Sequence, residues 1–456
     1  MVRDVPPFGA TDDPDIAKAL GWLLGFIDPS DWKARVATIE KGLDRVFEPR
    51  ASEAEAQIHA PVSFSDDRIA WYLYLADAAL NNPVKYEPAQ GSRILPIFKR
   101  LGAHLDLLRA VAGVKELVVR MLTNDRRQPD SILFELLVAL LWCRNGFERV
   151  EFIEKNPPGK SPDIRAGRGT AEWFIECKRL QQRSEYSEIE RLKWLTMWTR
   201  FRPFLLGEQF SAVFEIVFHV ELHTLPNDFL VEELPGKLRL IQLPCDVIAN
   251  ETWSVRARPV DYKTAREHLA KYLVRYPSDQ ITELIGGYRD PNCGFTALIK
   301  GRFEQMGEGG GKGNFLDELA FAAGAFWSCD APSAIERKAR DIRRHLSEAV
   351  RQLPDSGKCA IHVGLETLEG ATVEMVRLSR ILETVAAIDT AGRDLRWIYC
   401  HQFQSYAPPD EAWVIDETVH PFGRKDSGPD PLKWNSLVVP QEGDNQDGVH
   451  WLRKPP

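Results

Sequence analysis

Residues 162–178 read Pro-Asp-Ile-Arg-Ala-Gly-Arg-Gly-Thr-Ala-Glu-Trp-Phe-Ile-Glu-Cys-Lys. A lone acid, Asp163, opens a short extended segment, and Gly167 and Gly169 supply a turn. The apolar run Trp173-Phe174-Ile175 then ends in Glu176-Cys177-Lys178. Side chains alternate along a strand, so Glu176 and Lys178 project from the same face. Pairing of the two segments brings Asp163 to them, giving two carboxylates and one ammonium at the end of a small sheet. Two oxygen ligands suit Mg²⁺, which keeps several waters and binds through one or two carboxylates plus substrate phosphate. A lysine beside a metal-bound water can orient or deprotonate it. The pattern points to phosphodiester hydrolysis.

Context carries that reading. Asp/Glu-x-Lys also occurs at Asp31–Lys33, Asp261–Lys263 and Glu336–Lys338. Only Glu176 closes a β-like apolar run with an acid-bearing segment 13 residues upstream and a turn between. Ahead of it, residues 131–143 are apolar nearly all round, the mark of a buried helix. Asp130 or Ser131 is the expected N-cap and Asn145-Gly146 the expected stop. Glu135 is the only charge inside that run. A buried carboxylate is costly unless paired or metal-bound, so Glu135 points at a cation, unless it reaches solvent or meets an arginine.

The expected order is helix (131–145), strands (148–154, 162–166, 171–178), helix (184–202) and strand (210–222). This order, with its Pro162-Asp163 and Glu176-Cys177-Lys178, resembles the PD-(D/E)xK nuclease superfamily, over about residues 131–222. The resemblance implies an α/β fold with a restriction-endonuclease-like α-β-β-β-α-β core. It implies Asp163, Glu176 and the Cys177 backbone carbonyl as metal ligands, and Lys178 as the group that orients water or offsets charge. Glu135 corresponds to the acid that many members carry on the first core helix. Mg²⁺ is the implied cofactor, with Mn²⁺ as a substitute, and cleavage leaves 5′-phosphate and 3′-hydroxyl ends. Gln182 and Tyr186 match a Gln-x-x-x-Tyr spacing found in a subset of these nucleases. Four residues apart, they would share a helix face; the alternative is two polar residues starting a surface helix.

Net charge of −8 argues against general affinity for nucleic acid, although a binding footprint is local. Arg179 and Arg183 follow the motif, and Arg340, Arg343 and Arg344 lie in a second basic stretch. These are the candidate nucleic-acid contacts; a solvated helix face explains them equally well. The 456 residues, 44% hydrophobic and 27% charged, suit a globular chain of two or three domains. Seven scattered cysteines without a CxxC oppose a disulfide framework or zinc ribbon. Neither a basic signal region nor a membrane-length apolar run is present. The expected setting is cytoplasmic, with no membrane partner.

Helical spacing near 14–27, 30–48, 64–81 and 94–122 makes residues 1–130 a helical accessory domain. Residues 131–225 hold the nuclease core, 226–424 an α/β extension or second domain, and 425–456 an irregular tail. Within the extension, strands are expected at 252–260 and 358–366, helices at 261–276, 333–353 and 371–388, and a hairpin from 395–405 to 412–419. Gly307–Gly313 is the best linker candidate; it is not a phosphate-binding loop, since Met306 replaces the first glycine and Gly313 the Ser/Thr. His219, Glu221 and His223 share one face of the 210–222 strand, as metal ligands or as a solvated polar face.

The expected activity is that of a Mg²⁺-dependent deoxyribonuclease, acting as endo- or exonuclease. The alternatives are a non-catalytic nucleic-acid-binding module, or a subunit of a defence or repair complex active only with a partner such as an ATPase. Homodimerisation is compatible with either.

Overall fold

The computed structural model describes residues 12–47, 64–154, 161–180, 184–276, 278, 280–286, 293–339, 342–407, 411–424, 427–440 and 447–452. The chain begins with α1 (Pro14–Leu24), α2 (Pro29–Phe47), α3 (Arg68–Asn81), α4 (Pro88–Ala103), α5 (Leu105–Arg109) and α6 (Val114–Thr123). Next come α7 (Pro129–Arg144), β1 (Arg149–Phe152), β2 (Ile164–Arg168) and β3 (Ala171–Arg179). A long excursion follows: α8 (Glu185–Gly207), β4 (Ala212–Phe218), α9 (Phe229–Glu233), α10 (Pro235–Leu238), β5 (Cys245–Ala249) and β6 (Trp253–Pro259). It continues through α11 (Tyr262–Leu269), β7 (Val274–Arg275), α12 (Gln280–Leu284), β8 (Gly294–Met306), β9 (Gly313–Cys329) and α13 (Pro332–Lys338). The chain then returns as α14 (Arg343–Gln352), β10 (Lys358–Glu366), α15 (Ala371–Ala387), β11 (Leu395–Tyr406) and β12 (Val414–Gly423).

Two mixed sheets result, making the protein α/β. The first has the order β1-β2-β3-β10-β11-β12. Its β1–β3 run antiparallel, β3, β10 and β11 run parallel, and β12 returns antiparallel. Its two faces are covered separately. Ile164, Ala166, Trp173, Ile175 and Cys177 join one cluster with α7 and the N-terminal helices. Cys359, Ile361 and Val363 of β10 join another with Leu346 and Val350 of α14 and Ile381 of α15. Strand β10 is buried on both faces, the usual condition of a parallel strand between helical layers. Close packing reaches the backbone at Gly364, where a Cβ would stand 2.6 Å from the Phe134 ring.

Helix α7 forms where its apolar run predicts, with corrected ends. Pro129 occupies its first turn and Gln128 its N-cap, without a side-chain cap. Asn145 closes it, its amide donating to the Leu141 carbonyl at 2.9 Å. Gly146 follows at φ 81°, a left-handed conformation that glycine adopts without penalty.

The largest correction concerns the partner of β3. The sequence reading set 184–202 and 210–222 beside the motif strands. Instead β4 lies in the second sheet, ordered β5-β6-β4-β9-β7 with β8 on β9. There β4 buries Phe214, Ile216 and Phe218 against α8 and Val213 against α11 and α12. With both of its edges paired, to β6 and to β9, β4 has no edge left for β3, and β10 takes that place. Strands β8 and β9, absent from the sequence reading, dominate the excursion.

Gly307–Gly313, expected as a linker, is the turn of the β8–β9 hairpin. Gly307, Gly309 and Gly311 all have positive φ, which explains the glycines. The tip docks on the N-terminal helices: Gly311 N–H donates to Asp44 at 2.8 Å, and a Cβ at Gly313 would meet the Val84 carbonyl. The described residues after β12, which include a short 3-10 turn at His450–Leu452, pack on the core. Glu417 accepts from the amides of Leu437 (2.8 Å) and Val438 (2.9 Å), and Arg100 donates to the carbonyls of Leu437 and Val439. Among the described residues, no helix is long and apolar enough to cross a membrane, and all seven cysteines are free thiols.

Candidate functional site

Strands β2 and β3 pair with Ile164 opposite Ile175, and the Asp163 amide donates to the Ile175 carbonyl at 3.0 Å. Continuing this register puts Asp163 across from Glu176. Alternation then adds Lys178 to the same face. The Asp163 carboxylate accepts from the Cys177 amide at 2.8 Å, and Lys178 Nζ donates to Glu176 at 2.7 Å. Both carboxyls are deep in the protein, Asp163 3% and Glu176 1% exposed, whereas Lys178 retains 18% of its side-chain surface. Ammonium and acids thus meet at the joint between the antiparallel and parallel halves of the sheet.

The remaining described site residues stand on other elements or on the other face of β3. Glu135 is 7% exposed on α7, which covers the face carrying Trp173, Ile175 and Cys177. Glu176 and Lys178 project toward α14 instead, so Glu135 approaches from the opposite layer. The Cys177 side chain joins the α7-side core, consistent with its middle position between them. Tyr186 lies on α8 and donates to Glu221 at 3.2 Å, with the Arg337 guanidinium 5.3 Å from its ring centre. It therefore belongs to the second sheet's corner, away from the motif. Gln182, Arg183 and Arg340 fall outside the described residues. Arg343 and Arg344 are exposed on the first turn of α14.

Arg179 is not a surface contact. Its side chain is only 9% exposed, donates to Glu366 and lies over the Phe403 ring at 5.3 Å. Arg93 of α4 donates to the same Glu366 at 2.6 Å and to Asp130 at 2.7 Å, and Tyr72 also reaches Asp130. Burial opposes the charge on Asp130, but Arg93, Arg179 and Arg68 outweigh it and hold its pKa below the usual value. Burial likewise disfavours the Arg93 cation, yet Asp130 and Glu366 raise its pKa well above normal. The cavity beside these groups is about 30 Å³, room for a water rather than a substrate. This network ties α3, α4, α7, β3 and β10 together.

A second buried chain crosses the sheet. The Trp142 indole donates to His362 Nε2 at 3.1 Å, His362 Nδ1 meets His401 Nε2 at 2.9 Å, and His401 Nδ1 meets Glu417 at 3.3 Å. Indole N–H is donor only, which fixes the direction. His362 accepts at Nε2 and donates from Nδ1, and His401 passes its own Nδ1–H to the carboxylate. Burial, with help from His401, pushes the His362 pKa well below its ordinary value.

His219 and His223 do not form the metal set considered from sequence. Strand β4 ends at Phe218, His219 pairs with Asp330 at 2.9 Å and His223 with Glu221 at 3.0 Å. Among the described residues, no group of three or more His, Cys, Asp or Glu side chains is arranged for a metal ion. The expected Mg²⁺ donor set is smaller, two carboxylates and a carbonyl, and Asp163 and Glu176 fit it by chemistry and register.

Sequence reasoning missed Gln352. Its side-chain oxygen accepts from Lys178 Nζ across a sequence separation of 174 residues. No local pattern marks it, because only the docking of α14 on β3 brings it there. Comparison with protein-family models, curated proteins and solved structures finds no match to this chain.

Proposed function

We propose that the protein is a metal-dependent nuclease of the PD-(D/E)xK type, hydrolysing phosphodiester bonds of DNA. The observation that carries the reading is the cross-strand set of Asp163, Glu176 and Lys178 on one face of β2–β3. The order α7-β1-β2-β3-α14-β10, with β10 parallel to β3, supports it: it is an α-β-β-β-α-β sequence once the excursion is set aside.

Asp163, Glu176 and the Cys177 carbonyl would hold Mg²⁺ or Mn²⁺. When bound, the ion polarises the scissile phosphate and lowers the pKa of a coordinated water. The Cys177 amide fixes the Asp163 carboxylate, so its orientation is set before substrate arrives. Lys178 holds its charge beside the acids, where it orients the attacking water and offsets charge gathering on the phosphoryl oxygens. The partly exposed ammonium is the member of the set that substrate can reach.

The test is cleavage of supercoiled and linear DNA by the purified chain with Mg²⁺ and with EDTA. Lys178→Ala is expected to abolish cleavage while retaining metal binding, and Asp163→Ala to lose both. Wild-type turnover in Asp163→Ala would sink the assignment. DNA binding without cleavage in any metal would shift the reading to a binding module or a subunit awaiting its partner.

A further inference from the structure

We propose that Gln352, at the C-terminal end of α14, is the positioning residue that holds Lys178 in place. Its consequence for turnover rests on the nuclease reading above; the contact itself does not. Lys178 donates both to Glu176 on its own strand and to Gln352 on the facing helix. A lysine side chain is a flexible four-carbon stem whose immobilisation costs rotamer entropy. One acceptor two residues away on the same strand restrains the ammonium along the sheet. The second, approaching from the helical layer, restrains it perpendicular to the sheet.

The helix is well placed to act as a fixed support. Leu346, Ala349 and Val350 of α14, with Leu353 just beyond, are buried in one cluster with Ile361 and Val363 of β10, and Phe174 of β3 packs against it. Phe174 is two residues from Glu176 and on the same face, so the surface that seats α14 is the surface that carries the site. The apolar stripe sets the register of α14, and that register delivers Gln352 to Lys178. Two of the three ammonium N–H donors are thereby used, and the third serves water or a phosphoryl oxygen.

The experiment pairs two variants of the full chain. Gln352→Leu removes the acceptor at similar volume, and Gln352→Glu keeps an oxygen at the same reach. Trace acetylation with acetic anhydride, read by mass spectrometry against the other lysines, reports how tightly Lys178 is held without any catalytic step. Gln352→Leu is expected to raise Lys178 labelling several-fold, and Gln352→Glu to keep it near wild type. On DNA, Gln352→Leu should lower kcat by about 10- to 100-fold, the scale of an ångström-sized misplacement, with KM and Tm unchanged. Gln352→Glu should recover most of that loss. Unchanged labelling in Gln352→Leu overturns the proposal, as does increased labelling with unchanged kcat. If the wild type never cleaves DNA while labelling rises in Gln352→Leu, the nuclease reading fails and the contact stands.

Discussion

Acidification from pH 7 to pH 5 should destabilise this fold through His362, and the effect can be sized. The ring is fully buried between Trp142, Tyr399 and His401. Both its nitrogens are engaged, Nε2 accepting from Trp142 and Nδ1 meeting His401. Burial first, and His401 second, hold its folded pKa well below the ordinary 6.5. The unfolded chain therefore takes up a proton below pH 6.5 that the folded protein refuses, so stability falls as pH falls. The loss from this one group is RT ln(1 + 10^(6.5−pH)), about 0.2 kcal/mol at pH 7 and about 2 kcal/mol at pH 5. His362→Gln removes the titration while keeping an oxygen for Trp142 and an amide donor toward His401. Urea unfolding of both proteins at pH 7 and pH 5 isolates the term, because every other group titrates in both. The stability advantage of wild type over the variant should shrink by roughly 2 kcal/mol at the lower pH. A parallel decline of the two proteins would refute the buried neutral-histidine chain.

Two other perturbations examine the ties between layers. Glu366→Ala removes the shared acceptor of Arg93 and Arg179; Arg93 keeps Asp130, but depriving the buried Arg179 guanidinium of its carboxylate should cost about 3–5 kcal/mol, measured by denaturant unfolding. Asp44→Ala removes the acceptor for the Gly311 amide at the tip of the β8–β9 hairpin. A local cost of about 1 kcal/mol is expected, read as faster hydrogen exchange at Gly311 with exchange along β10 unchanged; equal acceleration at both would show that the tip is not an independent dock.

The sequence by itself determined the short-range features. The apolar run of 131–143 forms α7, because an all-round hydrophobic helix has only the interior to occupy. The extended segments around Gly169 pair as β2 and β3, and period-two alternation sends Glu176 and Lys178 to one face. The strand at 358–366, the helix near 371–388 and the final hairpin are legible for the same reason. Each rests on propensity and periodicity within a few turns or pairs.

Only the tertiary structure decided what stands beside β3. Chain order favours β4, but the excursion carries enough apolar surface to build its own sheet and cores, and β4 is spent there. The same cause separates Tyr186 from the motif and makes Gln352, far along the chain, a neighbour of Lys178. Arg179 reads as a basic surface residue until Glu366 of β10 arrives to match its charge in the interior. Local pattern tells which face of a strand a side chain occupies. Which partner meets it there depends on how whole layers exclude water, and that is a property of the assembled chain.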